Sequence, residues 1–339
     1  MEGCAAPAER LACNSETTSG RMDLASSDRK GRLQNRGVQV NEGRLSGRVA
    51  IVTGGGRGLG RAYALALAGH GASIVVNDLG ADLSGAGHDA SPAHSVVEEI
   101  RSSGGQAVLS DHDVGDWEQA RAMVELAITT FGKLDIIVNN AGILRDKLFA
   151  NMTEDDWDAV IRVHLKGHAA PARHAMEYWR NESKAGRKVA ASIVHTTSLA
   201  GLVGSFGQAN YASAKLAVVG LSRTLALEGA KYGVRSNAVS PSARTRIETS
   251  LQAPLDGSFD VFSPDNVAPL ICWLALEDCP STGQVFQAYG DRIEVIAPSA
   301  IEVDLRAKGR WRLEDIERQL NERLPKLPKL GDFVDGLPL

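Results

Sequence analysis

A short apolar run, residues 47–53, leads directly into a glycine-rich turn and then into a helical stretch that closes at Gly71. The turn reads Thr53-Gly-x-x-x-Gly58-x-Gly60. Glycines let the backbone approach a pyrophosphate closely, and the first turn of a helix presents unpaired N–H groups to it. A strand, a glycine turn and a helix in this order therefore predict a phosphate site. The alternative is a tight turn that holds no ligand.

An acidic residue follows the second apolar run. Residues 72–77 form that run, and Asp78 and Leu79 come directly after it. An acid about twenty residues beyond the glycines is placed to accept hydrogen bonds from the hydroxyls of an adenosine ribose. The alternative is a surface aspartate at the end of a strand.

Strand-like and helix-like segments alternate through the rest of residues 47–296. One helix begins at the capping-box sequence Thr153-Glu-Asp-Asp156. Such alternation predicts an α/β fold, a single domain built on a Rossmann-type, doubly wound parallel sheet, whose ligands bind where the strands end. Residues 242–264 are predicted to form a loop over that site. The remaining strands are predicted at residues 106–110, 134–138, 189–197, 234–239 and 284–288.

Tyr211 and Lys215 stand four positions apart in a predicted helix from residue 208 to about 231, so their side chains share one face. A free tyrosine titrates near pH ~10 and is a poor proton acceptor at neutral pH. A neighbouring ammonium, together with a positively charged cofactor ring, would lower that pKa and let Tyr211 exchange a proton near neutral pH. Ser198 adds a hydroxyl at the end of a predicted strand. The Tyr-x-x-x-Lys pair alone also arises by chance, so its weight depends on the motifs around it.

Composition argues against several functional classes. Apolar residues make up 43% and charged residues 23% of the 339 residues, as in ordinary soluble domains. A net charge of −4 gives no reason to expect a nucleic-acid or membrane partner. No apolar run approaches the roughly eighteen residues of a transmembrane helix. The four cysteines have no metal-ligand spacing, so no metal site is expected, and a reducing cytoplasm is the expected location.

Two segments flank the predicted domain. Residues 1–46 lack apolar periodicity and are predicted to be a disordered tail, without the apolar core of a signal peptide. The alternative is that the natural start is Met22. Residues 297–339 are predicted to be a C-terminal extension with one amphipathic helix, ended by prolines. The apolar positions of this helix are Leu313, Ile316, Leu320 and Leu324.

Taken together, these motifs resemble the short-chain dehydrogenase/reductase family over about residues 46–296. Each motif alone is weak, but their combination and order are specific. Within the family, stretches such as Val76-Asn-Asp-Leu-Gly80 and Arg162-Val-His-Leu165 are most similar to (3R)-hydroxyacyl-CoA dehydrogenases. The motifs that carry the resemblance are Thr53-Gly-x-x-x-Gly58-x-Gly60, Asp78, Asp113-Val114, Asn139-Asn-Ala-Gly142, Ser198 and Tyr211-x-x-x-Lys215.

The resemblance implies a role for each matching residue. Tyr211 would be the general acid/base, Lys215 would lower its pKa and bind the nicotinamide ribose, and Ser198 would hold the substrate oxygen. Asp113 and Val114 would contact the adenine. The full set expected around the cofactor is Gly54, Arg57, Gly58, Leu59, Gly60, Asp78, Leu79, Asp113, Val114, Asn140, Ala141, Gly142, Tyr211, Lys215, Pro241 and Ala243.

Three positions depart from the family's usual pattern. His164 stands where most members have an asparagine that helps to hold a relay water. A histidine can also hold a water and pass a proton, and the alternative is a hydrogen-bonded core histidine. Ser242 follows Pro241 where glycine is usual, which leaves the nicotinamide contacts open. Arg57 is typical of members that use NADP and competes with Asp78, which would repel a 2′-phosphate; NAD is the expected cofactor.

The expected function is an NAD-dependent oxidoreductase that transfers a hydride between a secondary alcohol, expected to be a 3-hydroxyacyl-CoA, and the nicotinamide. The alternatives are a hydroxysteroid or other bulky alcohol dehydrogenase and a catalytically silent nucleotide-binding regulatory protein. Intact Ser198, Tyr211 and Lys215 argue against the silent protein. Basic residues expected near the cleft mouth, where they would favour the CoA phosphates, are Arg145, Lys147, Arg244 and Arg246.

The resemblance to the family also implies a homodimer or homotetramer. The interface would use the helices that bear Tyr211 and His164. The apolar residues expected to supply it on the Tyr211 helix are Leu216, Val219, Leu221 and Leu225.

Overall fold

The structure, a computed structural model, describes residues 43–245, 254, 257–298, 303–306 and 310–326. Across these residues eight strands form one sheet in the order β3-β2-β1-β4-β5-β6-β7-β8. The predicted α/β fold with a doubly wound sheet is confirmed. The strands are β1 (Val49–Thr53), β2 (Ser73–Asn77), β3 (Ala107–Ser110), β4 (Ile136–Asn139), β5 (Ala191–Thr196), β6 (Val234–Pro241), β7 (Val285–Tyr289) and β8 (Arg292–Ile296).

Helices follow the strands along the chain. A π-helical turn, Arg162–Lys166, joins α4 to α5, so the long helix that was predicted to carry His164 is interrupted there. The capping box predicted at Thr153 and Asp156 is present at the start of α4. The helices are α1 (Gly58–Gly69), α2 (Ser91–Ser102), α3 (Trp117–Phe131), α4 (Glu154–Ile161), α5 (Gly167–Lys184), α6 (Leu199–Val203), α7 (Ala209–Gly229), α8 (Ala268–Ala275) and α9 (Leu313–Arg323).

The sheet has a hydrophobic core on each face, because successive side chains of a strand point to opposite sides. On β1, Ala50 and Val52 pack with α1, α2 and α8. Val49 and Ile51, on the other face, pack with α3 and α5. A strand covered on both faces is apolar at every position, which explains the unbroken apolar runs in the sequence.

The sheet ends in an antiparallel edge strand, β8, that the sequence analysis did not predict. Strands β1 to β7 pair in parallel, but β8 pairs antiparallel with β7. The two strands are joined by a two-residue turn at Gly290 and Asp291, where Gly290 has φ +52°. A Gly-Asp turn between short apolar strands is a hairpin signal that could have revealed this strand.

The ordered domain begins ahead of the predicted boundary at residue 47. Leu45 is fully buried, and its N–H donates to the carbonyl of His70 at 2.9 Å. The rest of the predicted disordered tail, residues 1–42, lies outside the described residues.

At the other end, α9 lies where the amphipathic helix was predicted. None of its residues is buried. Within the described residues, no helix is both long and apolar enough to cross a membrane.

Candidate active site

One cleft, with a volume of about 540 Å³, lies where several strands end and collects the predicted residues. Gly60 alone of the predicted set does not line it. The predicted residues that line it are Gly54, Arg57, Gly58, Leu59, Asp78, Leu79, Asp113, Val114, Asn140, Ala141, Gly142, His164, Ser198, Tyr211, Lys215, Pro241 and Ala243.

Two glycines of the turn, Gly54 and Gly60, have no room for a side chain. Gly54 has φ +64°, and a Cβ there would lie 2.9 Å from the Cα of Ala141. A Cβ on Gly60 would lie 2.0 Å from the carbonyl oxygen of Gly54. Gly60 therefore acts beneath the cleft, where it lets α1 pack against the turn. A bare backbone at the first turn of a helix fits a pyrophosphate, so the residues present fit a dinucleotide.

Asn140, which directly follows β4, stabilises this turn. Its side-chain amide donates to the carbonyl oxygens of Thr53 at 3.1 Å and Gly54 at 3.3 Å. The hydroxyl of Thr53 in turn accepts the backbone N–H groups of Asn140 and Ala141. The Asn140 amide is therefore hydrogen-bonded within the protein. The groups of residues 140–142 that remain to contact a ribose in the cleft are those of the backbone.

The carboxylate of Asp78 is held by two backbone donors. Its Oδ2 accepts the N–H of Gly56 at 2.9 Å, and its Oδ1 accepts the N–H of Gly80 at 2.8 Å. Each carboxylate oxygen has a second lone pair that can accept a ligand hydroxyl. Arg57 forms an ion pair with Asp89, at 3.5 Å between Nη2 and Oδ2.

Arg162 was missed by the sequence analysis as a site residue. It lines the cleft from the π-helical turn, and its guanidinium pairs with Oδ2 of Asp113. The other oxygen of Asp113 accepts the N–H of Gly115 at 2.8 Å. The pair fixes one wall of the end predicted to hold the adenine.

Asn210 was also missed, although it fixes the start of α7. Its buried side-chain amide donates to the carbonyl oxygens of Asp156 at 2.9 Å and Arg145 at 3.2 Å. Its Oδ1 accepts the N–H of Tyr211 at 2.8 Å. These bonds tie the helix that carries Tyr211 to α4 and to the segment before it.

Lys215 is buried, and its Nζ lies 5.5 Å from the ring centre of Tyr211. The ammonium donates to the carbonyl oxygen of Thr196 at 2.7 Å. No carboxylate of the described residues forms an ion pair with it. Burial therefore lowers the pKa of Lys215 to about 7.

The protein's own side chains do not lower the pKa of Tyr211 below its ordinary value. Burial raises the pKa of Tyr211 to about 12, which outweighs the lowering by a hydrogen bond from Ser198. The reason is that desolvation penalises the phenolate, and Lys215, itself desolvated, does not compensate. The second positive charge on which the prediction relied belongs to the cofactor ring.

Ser198 caps α6, and its Oγ accepts the N–H of Ala200 at 3.2 Å. This contact uses a lone pair and leaves the hydroxyl hydrogen available to a neighbour in the cleft. The hydroxyl of the preceding Thr197 donates to the carbonyl oxygen of Lys215 at 2.7 Å. Ser198, Tyr211 and Lys215 are thus held together at one end of the cleft.

His164 lies edge-on to Tyr211, with 5.1 Å between the ring centres. Its Nε2 is 3.1 Å from the backbone nitrogen and 2.8 Å from the carbonyl oxygen of Ile143. Burial, and then the charge of Lys215, hold the pKa of His164 well below its ordinary value, so the ring is neutral. Its Nδ1 is buried without a hydrogen-bond partner among the described residues.

Two further histidines are buried on the same side of the sheet. His168 and His195 stack at 5.4 Å between ring centres, and their Nδ1 atoms are 3.4 Å apart. Burial is the main cause that lowers the pKa of both, and it lowers that of His195 to about 3. All three rings near Lys215 are therefore neutral at physiological pH.

The short chain dehydrogenase family model matches residues 48–256. The chain belongs to the short-chain dehydrogenase family. A crystal structure of a short chain dehydrogenase from Mycobacterium avium superimposes with a TM-score of 0.77 at 45% identity and covers 85% of this chain and 98% of that one. Members of the family are oxidoreductases that use nicotinamide cofactors.

Two curated relatives are similar in sequence to this chain. Peroxisomal multifunctional enzyme type 2 of Mus musculus is 45% identical over 245 residues, which are 72% of this chain. The match spans only 32% of that protein, so this chain corresponds to about a third of it. A hydroxyacyl-CoA dehydrogenase of Mycobacterium tuberculosis is 40% identical over 299 residues, 85% of this chain and 90% of its own.

In this short-chain dehydrogenase, Ser242 is tied to the last parallel strand. Its N–H donates to the carbonyl of Ala288 at 3.0 Å, and its hydroxyl accepts from the side chain of Gln287 at 2.9 Å. Pro241 and Ala243 line the cleft on either side of it. The serine is therefore accommodated where the family usually has glycine, with its polar groups turned to the sheet.

The predicted cationic cleft mouth is largely neutralised. Lys147 pairs with Asp156 at 2.7 Å, and Arg244 pairs with Asp260. The side chain of Arg145 donates to backbone carbonyl groups, and Arg246 lies outside the described residues. The argument that these side chains attract the CoA phosphates therefore does not hold for Lys147 and Arg244.

Proposed function

We propose that this short-chain dehydrogenase oxidises a 3-hydroxyacyl-CoA to the 3-oxoacyl-CoA. The observation that carries the proposal is the similarity to a hydroxyacyl-CoA dehydrogenase over 85% of this chain and 90% of that protein. The multifunctional relative is a longer protein, so its name contributes less. The fixed Ser198 and Tyr211 supply the chemistry that any secondary alcohol requires.

Tyr211 is proposed as the proton acceptor. The alcohol O–H proton passes to the Tyr211 oxygen while Ser198 donates a hydrogen bond to the substrate oxygen and orients the carbon. A bound oxidised nicotinamide would supply the hydride acceptor and a positive charge. Lys215 and that charge would together stabilise the phenolate, because both oppose the desolvation that raises the pKa of Tyr211 to about 12.

His164 is proposed to hold a relay water on its unpartnered Nδ1, beside the Tyr211 ring. The supporting observation is that this nitrogen is buried, and buried polar atoms usually have partners. A neutral ring can accept a hydrogen bond there, since its other nitrogen is engaged by Ile143.

NAD is proposed as the preferred cofactor. Asp78 lines the cleft with its carboxylate fixed by two backbone donors, so it does not swing away from a 2′-phosphate without losing them. Like charges at close range in a water-poor site repel strongly. Arg57 is turned to Asp89, which leaves the charge of Asp78 uncompensated.

A substrate panel tests the activity and the cofactor together. Resolved (3R)- and (3S)-hydroxyacyl-CoA esters of several chain lengths, and free 17β-hydroxysteroids, are assayed with NAD and NADP by the absorbance of the reduced cofactor. We expect the highest kcat/KM with a (3R)-hydroxyacyl-CoA and NAD. Turnover of free steroids alone would refute the acyl-CoA proposal, and a higher kcat/KM with NADP would refute the cofactor preference.

A homodimer or homotetramer is proposed, with α7 at the interface. Of the four residues predicted for this face, Val219 is buried within its own subunit, and Leu216 is 54% exposed. Leu227, which the sequence analysis did not name, is 82% exposed. Leu216 and Leu227 are eleven positions apart, about three helical turns, so they share one face.

Light scattering at micromolar concentration should show a dimer or tetramer. Leu216→Glu combined with Leu227→Glu should shift the protein toward monomer, because the substitutions place charges in an apolar contact. Leu313→Glu on α9, at a side chain that is 65% exposed, is the matched control and should not change the mass. A monomeric wild-type protein would contradict the proposal.

A cytoplasmic location stays a prediction. What supports it is that Cys272 and Cys279 are both free thiols. Cysteines in reducing compartments remain unpaired.

A further inference from the structure

Arg57 is a cationic side chain at the glycine turn, and the structure turns it away from Asp78. It precedes α1 and lines the cleft. Its Nη2 lies 3.5 Å from Oδ2 of Asp89, whereas no ion pair joins it to Asp78 within the described part of the chain. The Arg57 side chain is 35% exposed, so it can change partners without crossing a packed core.

Asp89 is held in place by the loop that carries it. Its Oδ1 accepts the N–H of Ser91 at 3.0 Å, at the start of α2. Its backbone lies against Gly80, where an added Cβ would come within 1.9 Å of the Asp89 carbonyl oxygen. The N–H of Gly80 donates to the carboxylate of Asp78, so Gly80 contacts both that carboxylate and the backbone of Asp89. Asp89 itself is not among the residues that line the cleft.

We propose that Asp89 is a positioning residue for cofactor choice, which disfavours NADP by holding Arg57 away from the ribose 2′ position. The inference rests on the proposed location of the adenosine ribose beside Asp78. Asp78 repels a 2′-phosphate directly. Asp89 acts indirectly, because it pairs with Arg57, whose guanidinium would otherwise neutralise the phosphate.

The charges at this end of the cleft explain the effect. A 2′-phosphate carries about two negative charges near neutral pH. Arg57 can meet it only by leaving Asp89, which then loses its cationic partner. NAD makes no such demand, because its 2′-hydroxyl is uncharged and the pair stays intact. An exposed pair of this kind is weak, so it modulates a preference that Asp78 creates.

The test is Asp89→Asn, measured with both cofactors. Asparagine keeps a side-chain oxygen for the N–H of Ser91, so the start of α2 is preserved while the charge is removed. We expect the ratio of kcat/KM for NADP to that for NAD to rise about three- to fivefold. Calorimetric Kd values for NADP and NAD, measured without substrate, should change in the same ratio.

Two further variants separate this role from general effects. Arg57→Ala with Asp89→Asn should show no rise over Arg57→Ala alone, because the released cation is missing. Glu99→Gln removes an equal charge from α2, where Glu99 pairs with Arg61 of α1 at 2.6 Å. Neither Glu99 nor Arg61 lines the cleft, so the ratio should not move.

Salt gives an additional measurement that a structural role would not affect. The rise in the NADP-to-NAD ratio of kcat/KM that Asp89→Asn causes should become smaller as KCl increases from 0.05 to 0.5 M, since exposed charges are screened. An unchanged ratio in Asp89→Asn, an equal rise in Glu99→Gln, or a rise that survives Arg57→Ala would each overturn the inference. A wild-type preference for NADP would refute the proposed cofactor instead, because the inference concerns only the change from wild type.

Discussion

Tyr211→Phe is expected to lower kcat by about 10²–10⁴-fold while leaving the Kd for NAD within a few-fold of wild type. The ring still packs beside His164 at the edge-on contact, but no oxygen remains to take the alcohol proton. Steady-state assays with the best substrate of the panel give kcat, and calorimetry or cofactor fluorescence gives Kd. The two measurements together distinguish a lost proton acceptor from a collapsed cleft.

Tyr63→Phe is the matched control for this substitution. Tyr63 is fully buried in α1, and its hydroxyl has no hydrogen-bond partner among the described residues. Removing an unpaired buried hydroxyl should leave activity unchanged and leave the melting temperature equal or higher. Substantial turnover in Tyr211→Phe, with any alcohol in the panel, would show that another group accepts the proton.

Lys215→Met should lower kcat/KM, by about tenfold for each pKa unit by which the ammonium lowers the Tyr211 pKa when the cofactor is bound. The protein should nevertheless fold. Lys215 is 2% exposed, and its ammonium has one hydrogen bond, to Thr196, and no carboxylate partner among the described residues. Methionine has a similar length and no charge to desolvate, so stability at pH 7 should be equal or greater.

The stability difference between Lys215→Met and wild type should depend on pH in a defined direction. Burial lowers the folded pKa of Lys215 to about 7, below its ordinary value of 10.5. Between these values the unfolded chain binds more protons, so this group makes wild-type stability rise with pH. The advantage of methionine should therefore be largest below pH 7 and vanish above about pH 10.5.

Urea unfolding of both proteins at pH 6, 8 and 10 measures that difference. Groups common to the two proteins cancel in the comparison. An advantage of methionine that grows with pH would mean that Lys215 is not held in a desolvated site. Retained activity in the variant would remove Lys215 from the proposed proton transfer.

Local patterns in the sequence sufficed for the fold class, the glycine turn and the Tyr211–Lys215 pair. The glycine turn, with Gly54 and Gly60, follows from backbone chemistry that depends only on near neighbours. Tyr211 and Lys215 follow from helical spacing within a single helix. Such features depend only on residues that are close together in the chain, so they can be located from the sequence alone.

Other features depended on contacts between distant segments. The pairs of Arg162 with Asp113 and of Arg57 with Asp89 join residues 49 and 32 positions apart, and no periodicity links them. The burial that raises the pKa of Tyr211 could not be predicted from the sequence, because it depends on how much solvent the folded cleft excludes. The burial of a side chain such as Tyr211 is known only once the fold of the surrounding residues is known.

The π-helical turn at Arg162–Lys166 stands between the cleft and the sheet core, because His164 lies in the turn and α5 follows it directly. Such a turn takes up one residue more than a regular α-helical turn, and the chain returns to α-helix after it. Trp179 of α5 is buried against the sheet together with its neighbours. We therefore expect deletion of one residue within the turn to redirect the His164 side chain while α5 keeps its packing on the sheet.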